Sequence, residues 1–276
     1  MGLKLHVLDL GRVRHDINFA VAHGVVATVA NPNPPAQLID IPNSAYLIEH
    51  ADGNVLFDTG CHPDCMKPDG RWPEGLQTVF PHSGGEECDL PNRLEALGLG
   101  PDQIRHVVLS HLHMDHAGCV EFFRKSQLIV HEDELSGALR HFAMHDHGSA
   151  YIWKDINQWV REPLNWRPIG REEPHQKLID GVRLLNFGVG HAYGMLGLQV
   201  DLRSQADVML VSDACYNSTN YGPPAQVPGY VHDAPAFLRT IQKIRAMAGD
   251  VGAQVWFGHD LKQFDTLMKS TEGFYE

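Results

Sequence analysis

The sequence predicts an α/β fold, and three observations carry that expectation. Short apolar runs bounded by turn residues recur along the 276-residue chain, as buried strands do. Between some of them lie stretches with apolar residues at helical spacing. The composition, 43% hydrophobic and 20% charged, is that of a globular chain able to bury a sizeable core, with no break that would divide it. A single domain over residues 1–276 is therefore expected, with helices covering its sheets.

The strands expected in order are 5–10, 46–48, 55–57, 107–109, 128–130, 182–187, 208–211 and 255–257. One helix opens after Pro91 with Leu94 and Leu97 on one face, and the stretch holding Phe142 and Met144 also reads as helical. The clearest helix begins at Asp233, carries Pro235 in its first turn and places Phe237, Ile241 and Ile244 on one side, with Gly249 as its expected end. A last helix follows Asp260, whose Gln263 three residues on resembles a capping box. Residues 31–43 and 61–91 are rich in Pro, Gly and polar side chains and read as long loops, which in compact domains often form the walls of an active site.

The formal net charge of -12 repels phosphate backbones and anionic lipid, so neither nucleic acid nor a membrane surface is an expected partner. A small neutral substrate fits better. The first residues lack the long apolar core of a signal peptide, and no segment approaches the roughly 18 apolar residues of a membrane span, so a cytoplasmic protein is expected. The five cysteines are an odd number, which favours reduced thiols. Cys61, Cys65 and Cys88 cluster with His62, but the loose C-x-x-x-C spacing lacks the second close pair that a structural zinc site needs. Nothing in the sequence indicates the oligomeric state.

The strongest signal follows the strand 107–109, where Ser110-His111-Leu112-His113-Met114-Asp115-His116-Ala117-Gly118 offers four potential metal ligands within six residues. In extended backbone, side chains two apart point the same way, so His111 and His113 can share one ion. Asp115 and His116 follow as the chain turns towards an expected helix, and can serve a neighbouring ion. Imidazoles and carboxylates are the ligands zinc takes, and a catalytic site keeps a position open for water. Three further strand ends offer donors: His191 after Gly188-Val189-Gly190, Asp213 after Val211-Ser212, and His259 after Phe257-Gly258. Asp213 could bridge two ions.

The ordered set HLHMDH, GHAYG, SDACY and FGHD resembles the metallo-β-lactamase superfamily over nearly the whole chain, and within it the quorum-quenching N-acyl homoserine lactone lactonases. Residues 41–48 (IPNSAYLI), 56–63 (LFDTGCHP) and 269–275 (KSTEGFY) support that branch, as does Tyr216, three residues after Asp213. The resemblance implies a single-domain αββα sandwich with a dinuclear site at one edge between the sheets. Carried over residue by residue, it gives one zinc His111, His113 and His191, the other Asp115, His116 and His259, and both Asp213. Two Zn²⁺ per chain are implied, with other divalent metals able to substitute. Tyr216 corresponds to the family's substrate-binding tyrosine. Zinc β-lactamases of the commonest type carry Cys where Asp213 stands, and Cys215 nearby reads as a small buried residue.

The reaction these residues imply is hydrolysis of the lactone ring by a hydroxide bridging the metals. Tyr216 would stabilise the oxyanion, and Asp115 would return a proton to the leaving ring oxygen. Asp58, at the end of the strand 55–57, is the candidate for bracing the histidine loop. Trp72, Phe80, Phe142 and Met144 are candidates for an apolar wall around the acyl chain. His141, His145 and His147 read as surface or pocket-rim histidines. The competing expectations are another hydrolase of the superfamily, acting on a different lactone, a thioester or a phosphodiester, and a non-catalytic metal-binding protein.

Overall fold

The structure is a computed structural model and describes residues 2–276. One sheet holds β1 (Lys4–Asp16), β2 (Leu38–Glu49), β3 (Asn54–Phe57), β4 (His82–Ser83), β5 (Ile104–Val108), β6 (Gln127–His131) and β7 (Asn165–Ile169), ordered β4-β1-β2-β3-β5-β6-β7. The second holds β8 (Gln176–Ile179), β9 (Val182–Gly188), β10 (Met195–Val200), β11 (Val208–Ser212) and β12 (Gln254–Phe257), ordered β12-β11-β10-β9-β8. β1, β2 and β3 run antiparallel, whereas β3, β5, β6 and β7 are parallel. Parallel neighbours need crossovers, and the crossovers here carry helices Leu90–Ala96, Glu132–Ala143 and Trp153–Arg161. In the second sheet only β11 and β12 are parallel, joined through helix Ala234–Val251.

The period-two alternation of each strand divides the apolar side chains between three cores. Leu56, Val107 and Leu128 face outward under the helices, with Leu94 and Ile156. Their neighbours Phe57, Val108 and Ile129 face inward and meet Leu198, Leu210 and Trp256 of the second sheet. On its far side, Phe187, Met209 and Val211 pack against Phe237, Ile241 and Ile244 of helix Ala234–Val251. Those three helix residues are completely buried, each contributing about 1.5–3 kcal/mol. The result is the expected αββα sandwich.

The eight expected runs fall on β1, β2, β3, β5, β6, β9, β11 and β12. Several boundaries differ. β1 continues to Asp16 through a bulge between Asp9 and Arg12, where Gly11 takes a φ of 94°. The expected loop 31–43 becomes strand from Leu38, because that segment pairs with the extended β1. Within the expected loop 61–91 lie the short helix Glu74–Val79, β4 and a 3₁₀ turn at Glu86–Cys88. The helix from Asp233 runs past Gly249 to Val251, and Gly252 ends it in left-handed backbone. No helix follows Asp115 and His116. The chain makes turns and a 3₁₀ stretch at Val120–Phe122, because Gly118 packs on the backbone of Gly60 to His62, too close for a Cβ. β10 escaped the pattern because Gly197 interrupts its apolar run; that glycine admits the Phe187 ring.

Candidate metal centre

The sandwich brings donors from distant stretches to one place. β5 ends at Val108 and feeds His111, His113, Asp115 and His116; β11 feeds Asp213; β12 feeds His259; and the turn between β9 and β10 carries His191. The backbone ties the sheets together here, since Leu196 N–H donates to the Ser110 carbonyl at 2.9 Å.

The seven side chains form two sets. In one, His113 Nδ1 lies 2.9 Å from His111 Nε2 and 3.0 Å from His191 Nε2. Asp213 Oδ2 stands 3.3 Å from His191 Nε2 and 3.8 Å from His111 Nε2. In the other, His116 Nε2 and His259 Nε2 are 3.3 Å apart, and Asp115 Oδ2 is 3.6 and 3.5 Å from them. Asp213 Oδ1 completes this set at 3.4 Å from His116 and 3.0 Å from His259. Donors about 2.0–2.2 Å from one tetrahedral zinc are about 3.3–3.6 Å from one another, a span that the separations of 2.9 to 3.8 Å here bracket. Each oxygen of Asp213 faces one set.

The tautomers fit a cation as well. His116 Nδ1 donates to Asp58 Oδ2 at 2.9 Å, His191 Nδ1 to the Tyr230 carbonyl at 3.1 Å, and His259 Nδ1 to the Pro42 carbonyl at 3.0 Å. With those protons committed outward, the Nε2 lone pairs point inward. Asp213 Oδ1, fully buried, finds no hydrogen-bond donor among the described residues. Lone pairs and carboxylate oxygens converging without donors are what a metal resolves.

Electrostatics distinguish the two sets: the first is held neutral, whereas the carboxylates around His116 and His259 outweigh burial and raise both of those rings. Burial, reinforced by neighbouring imidazoles, holds His111 well below its ordinary value, and burial does the same at His113. Burial brings His191 down to about 4. These rings are in the neutral form that coordinates. At His116 burial acts in the same sense, but Asp115, Asp213 and Asp58 outweigh it and raise the group to about 10. Burial opposes ionisation of Asp213, yet His259 and His116 hold it far below the carboxylate range.

Around the donors lies a bracing network. Asp58 accepts from Ser110 N–H at 2.7 Å, Ser110 Oγ at 2.9 Å and Ser212 Oγ at 3.1 Å, besides His116. Two of its members sit in left-handed backbone, Asp58 at φ 62° and Ser212 at φ 47°. Glu134, which sequence reasoning missed, is fully buried on helix Glu132–Ala143. It accepts from Leu112 N–H at 2.9 Å, Tyr151 Oη at 3.0 Å and Gly194 N–H at 3.2 Å. It thereby pins the backbone between His111 and His113, and burial lifts its carboxyl to about 7 against those donors.

Tyr216 is buried, with its Oη 3.5 Å from His191 Nε2. Together with Asp115, Asp213 and His259 it lines a pocket whose apolar walls are Val13, Phe19, Ile41, Leu76 and Phe80. Phe80 is thus the one member of the expected aromatic wall that reaches the site. Trp72 is buried in the cluster of Cys61, Cys65 and Met114. Phe142 stacks on Trp153 with ring centroids 4.9 Å apart, and Met144 is exposed. His141 bonds Asp146 and Tyr193 at the edge of a neighbouring cavity, and Cys215 is buried in the third core.

Fold and site together define a class, and comparison with known proteins agrees. The sequence profile of the metallo-beta-lactamase superfamily matches residues 38–202. N-acyl homoserine lactonase AiiB of Agrobacterium fabrum (strain C58 / ATCC 33970) is 56% identical over 276 residues, all of both chains. AiiB of Rhizobium rhizogenes (strain K84 / ATCC BAA-868) is 55% identical, again over both full chains. Among solved structures, a Bacillus thuringiensis AiiA variant with N-decanoyl-L-homoserine at its active site superposes with a TM-score of 0.79 at 25% identity, covering 99% of this chain and 98% of that one. The chain belongs to the metallo-beta-lactamase superfamily and, within it, to the N-acyl homoserine lactonases.

Proposed function

We propose that this protein hydrolyses the lactone ring of N-acyl homoserine lactones, with two zinc ions held by His111, His113 and His191 and by Asp115, His116 and His259, and shared by Asp213. The observation that carries the reading is the pair of three-donor sets joined by one carboxylate, opening on a pocket with apolar walls beside Tyr216. Full-length similarity to proteins named for this activity supports it.

Two divalent ions held by these seven side chains would supply an acidified water and polarisation of a substrate carbonyl. The protein's side chains do the rest. Tyr216, whose hydroxyl burial keeps protonated, donates a hydrogen bond to the carbonyl oxygen as negative charge develops there. Asp115, in the lining of the pocket, would carry the proton given up by the attacking water to the ring oxygen as the C–O bond breaks. Val13, Phe19, Ile41, Leu76 and Phe80 receive the acyl chain and exclude water from it. The product is the ring-opened N-acyl homoserine.

Among the described residues no helix is long and apolar enough to cross a membrane. All five cysteines are free, which suits a reducing compartment, and we place the reaction in the cytoplasm. The test is proton release by zinc-loaded protein on homoserine lactones of graded chain length, beside aliphatic lactones, a glutathione thioester and bis-nitrophenyl phosphate. Fastest turnover on the homoserine lactones, with two zinc ions per chain by elemental analysis, is the expected result. Faster turnover of the thioester or the phosphodiester would replace the reading.

A further inference from the structure

Beyond the metal centre, a cavity of about 620 Å³ opens between helices Glu132–Ala143 and Ala234–Val251. Its rim carries Arg140, Arg171, Arg239 and Lys243, with Asp133 the one carboxylate residue among its lining. Asp133 is already committed, in a two-pronged pair with Arg171 at 2.6 Å. The other three cations have no ion-pair partner among the described residues. In a chain with 22 Lys and Arg against 34 Asp and Glu, this concentration of positive charge runs against the average. Arg239 and Lys243 are four apart on one helix, a spacing at which like charges repel unless an anion lies between them.

The floor has a different character. Phe187 and Ala236, both buried, with the exposed Val189 beside them, make it apolar. His131, also in the lining, is buried and uses Nδ1 to accept from Asp133 N–H at 3.1 Å, so its proton sits on Nε2. That Nε2–H has no acceptor among the described residues. Tyr193 and His232, with rings 4.3 Å apart, separate this cavity from a smaller one that reaches His113 and His191.

We propose that this cavity is a second binding site, for an organic anion that joins a carboxylate head to an apolar chain. The cations of the rim take the carboxylate, and the Phe187 and Val189 floor takes the chain. Two sources supply such a molecule: a free fatty acid, or a ring-opened N-acyl amino acid of the kind the proposed reaction releases. The cationic rim and apolar floor stand without that reaction, so the site does not depend on it.

The experiment is calorimetric titration of the zinc-loaded protein with octanoate, with N-octanoyl-homoserine and with inorganic phosphate. The same titrations are made on Arg239→Glu/Lys243→Glu and on Val189→Asn. These three positions are solvent-facing or half-exposed, and unchanged melting temperatures and unchanged kcat/KM on a homoserine lactone show that the metal centre is intact. The double variant is expected to lose a binding component for octanoate by about tenfold or more, the scale of losing charged hydrogen-bond donors. Val189→Asn, polar but uncharged, should weaken octanoate and leave phosphate unaffected. The tighter of the two acyl ligands identifies the source. Octanoate binding that is absent, or equal in wild type and double variant, overturns the site; phosphate binding as tightly as octanoate overturns the role of the apolar floor.

Discussion

At the residue scale, Tyr216 and Asp58 do different work and should fail differently. Tyr216→Phe removes one hydroxyl beside the donors and no bracing contact. It should keep its zinc and its melting temperature while losing about 10-fold to 100-fold in kcat/KM, less than a lone oxyanion donor costs, because the metals share the load. Steady-state kinetics with metal analysis of the same sample reads this; unchanged kinetics would make Tyr216 a packing residue. Asp58→Asn preserves shape and tolerates the left-handed backbone, but removes the charge that orients His116. Its zinc affinity should fall by about 10-fold to 100-fold, measured by competition with a chelating dye. The HxHxDH run was legible because four ligand types crowd one strand end. His191, Asp213 and His259 were legible only as an ordered set, since each alone resembles an ordinary loop residue. The carbonyls of Pro42 and Tyr230 that fix two tautomers were not legible at all, because a backbone acceptor leaves no mark in the sequence.

At the scale of elements, the strands buried on both faces declared themselves as apolar runs, β10 with its Gly197 excepted, while β7 and β8, with polar and charged positions and a proline in β7, did not. Helix Glu132–Ala143 has a role that its amphipathic pattern hides, because a buried Glu reads as one more charged residue on a solvated face. Glu134 reaches from that helix to the loop between His111 and His113. Burial raises its carboxyl from 4.5 to about 7 in the folded protein, so the native state holds this proton more tightly than the unfolded chain does. Its contribution to stability is therefore full below about pH 4.5 and is lost as pH rises through about 7, a change of about 3 kcal/mol. Wild-type stability minus that of Glu134→Gln, from urea titrations with the metal chelated in both, should fall across this window and level off above it. A flat difference would mean that the donors from Leu112, Tyr151 and Gly194 keep the carboxylate ionised throughout.

For the whole molecule, the donors come from both sheets and from stretches as far apart as His111 and His259, so a bound metal fastens one sheet to the other. Zinc at about 100 times its Kd stabilises by about 2.7 kcal/mol per site, so removing both ions should lower the melting temperature by about 10–20 °C. Differential scanning calorimetry before and after chelation, and again after zinc is returned, reads this; an unmoved transition would show that the sandwich closes without the ions. The left-handed backbone at Asp58 and Ser212 bears on how such a protein can be improved. Strained conformations of this kind persist where the surrounding structure demands them, and a glycine would relax them. Ser212→Gly relaxes that strain but gives up the Ser212 Oγ contacts to Ser110 and Asp58, so any melting temperature it gains for the metal-free protein comes with weaker zinc binding. Selection for heat resistance alone would then drift towards variants that survive longer and catalyse less, so a screen on this scaffold should score turnover at every round.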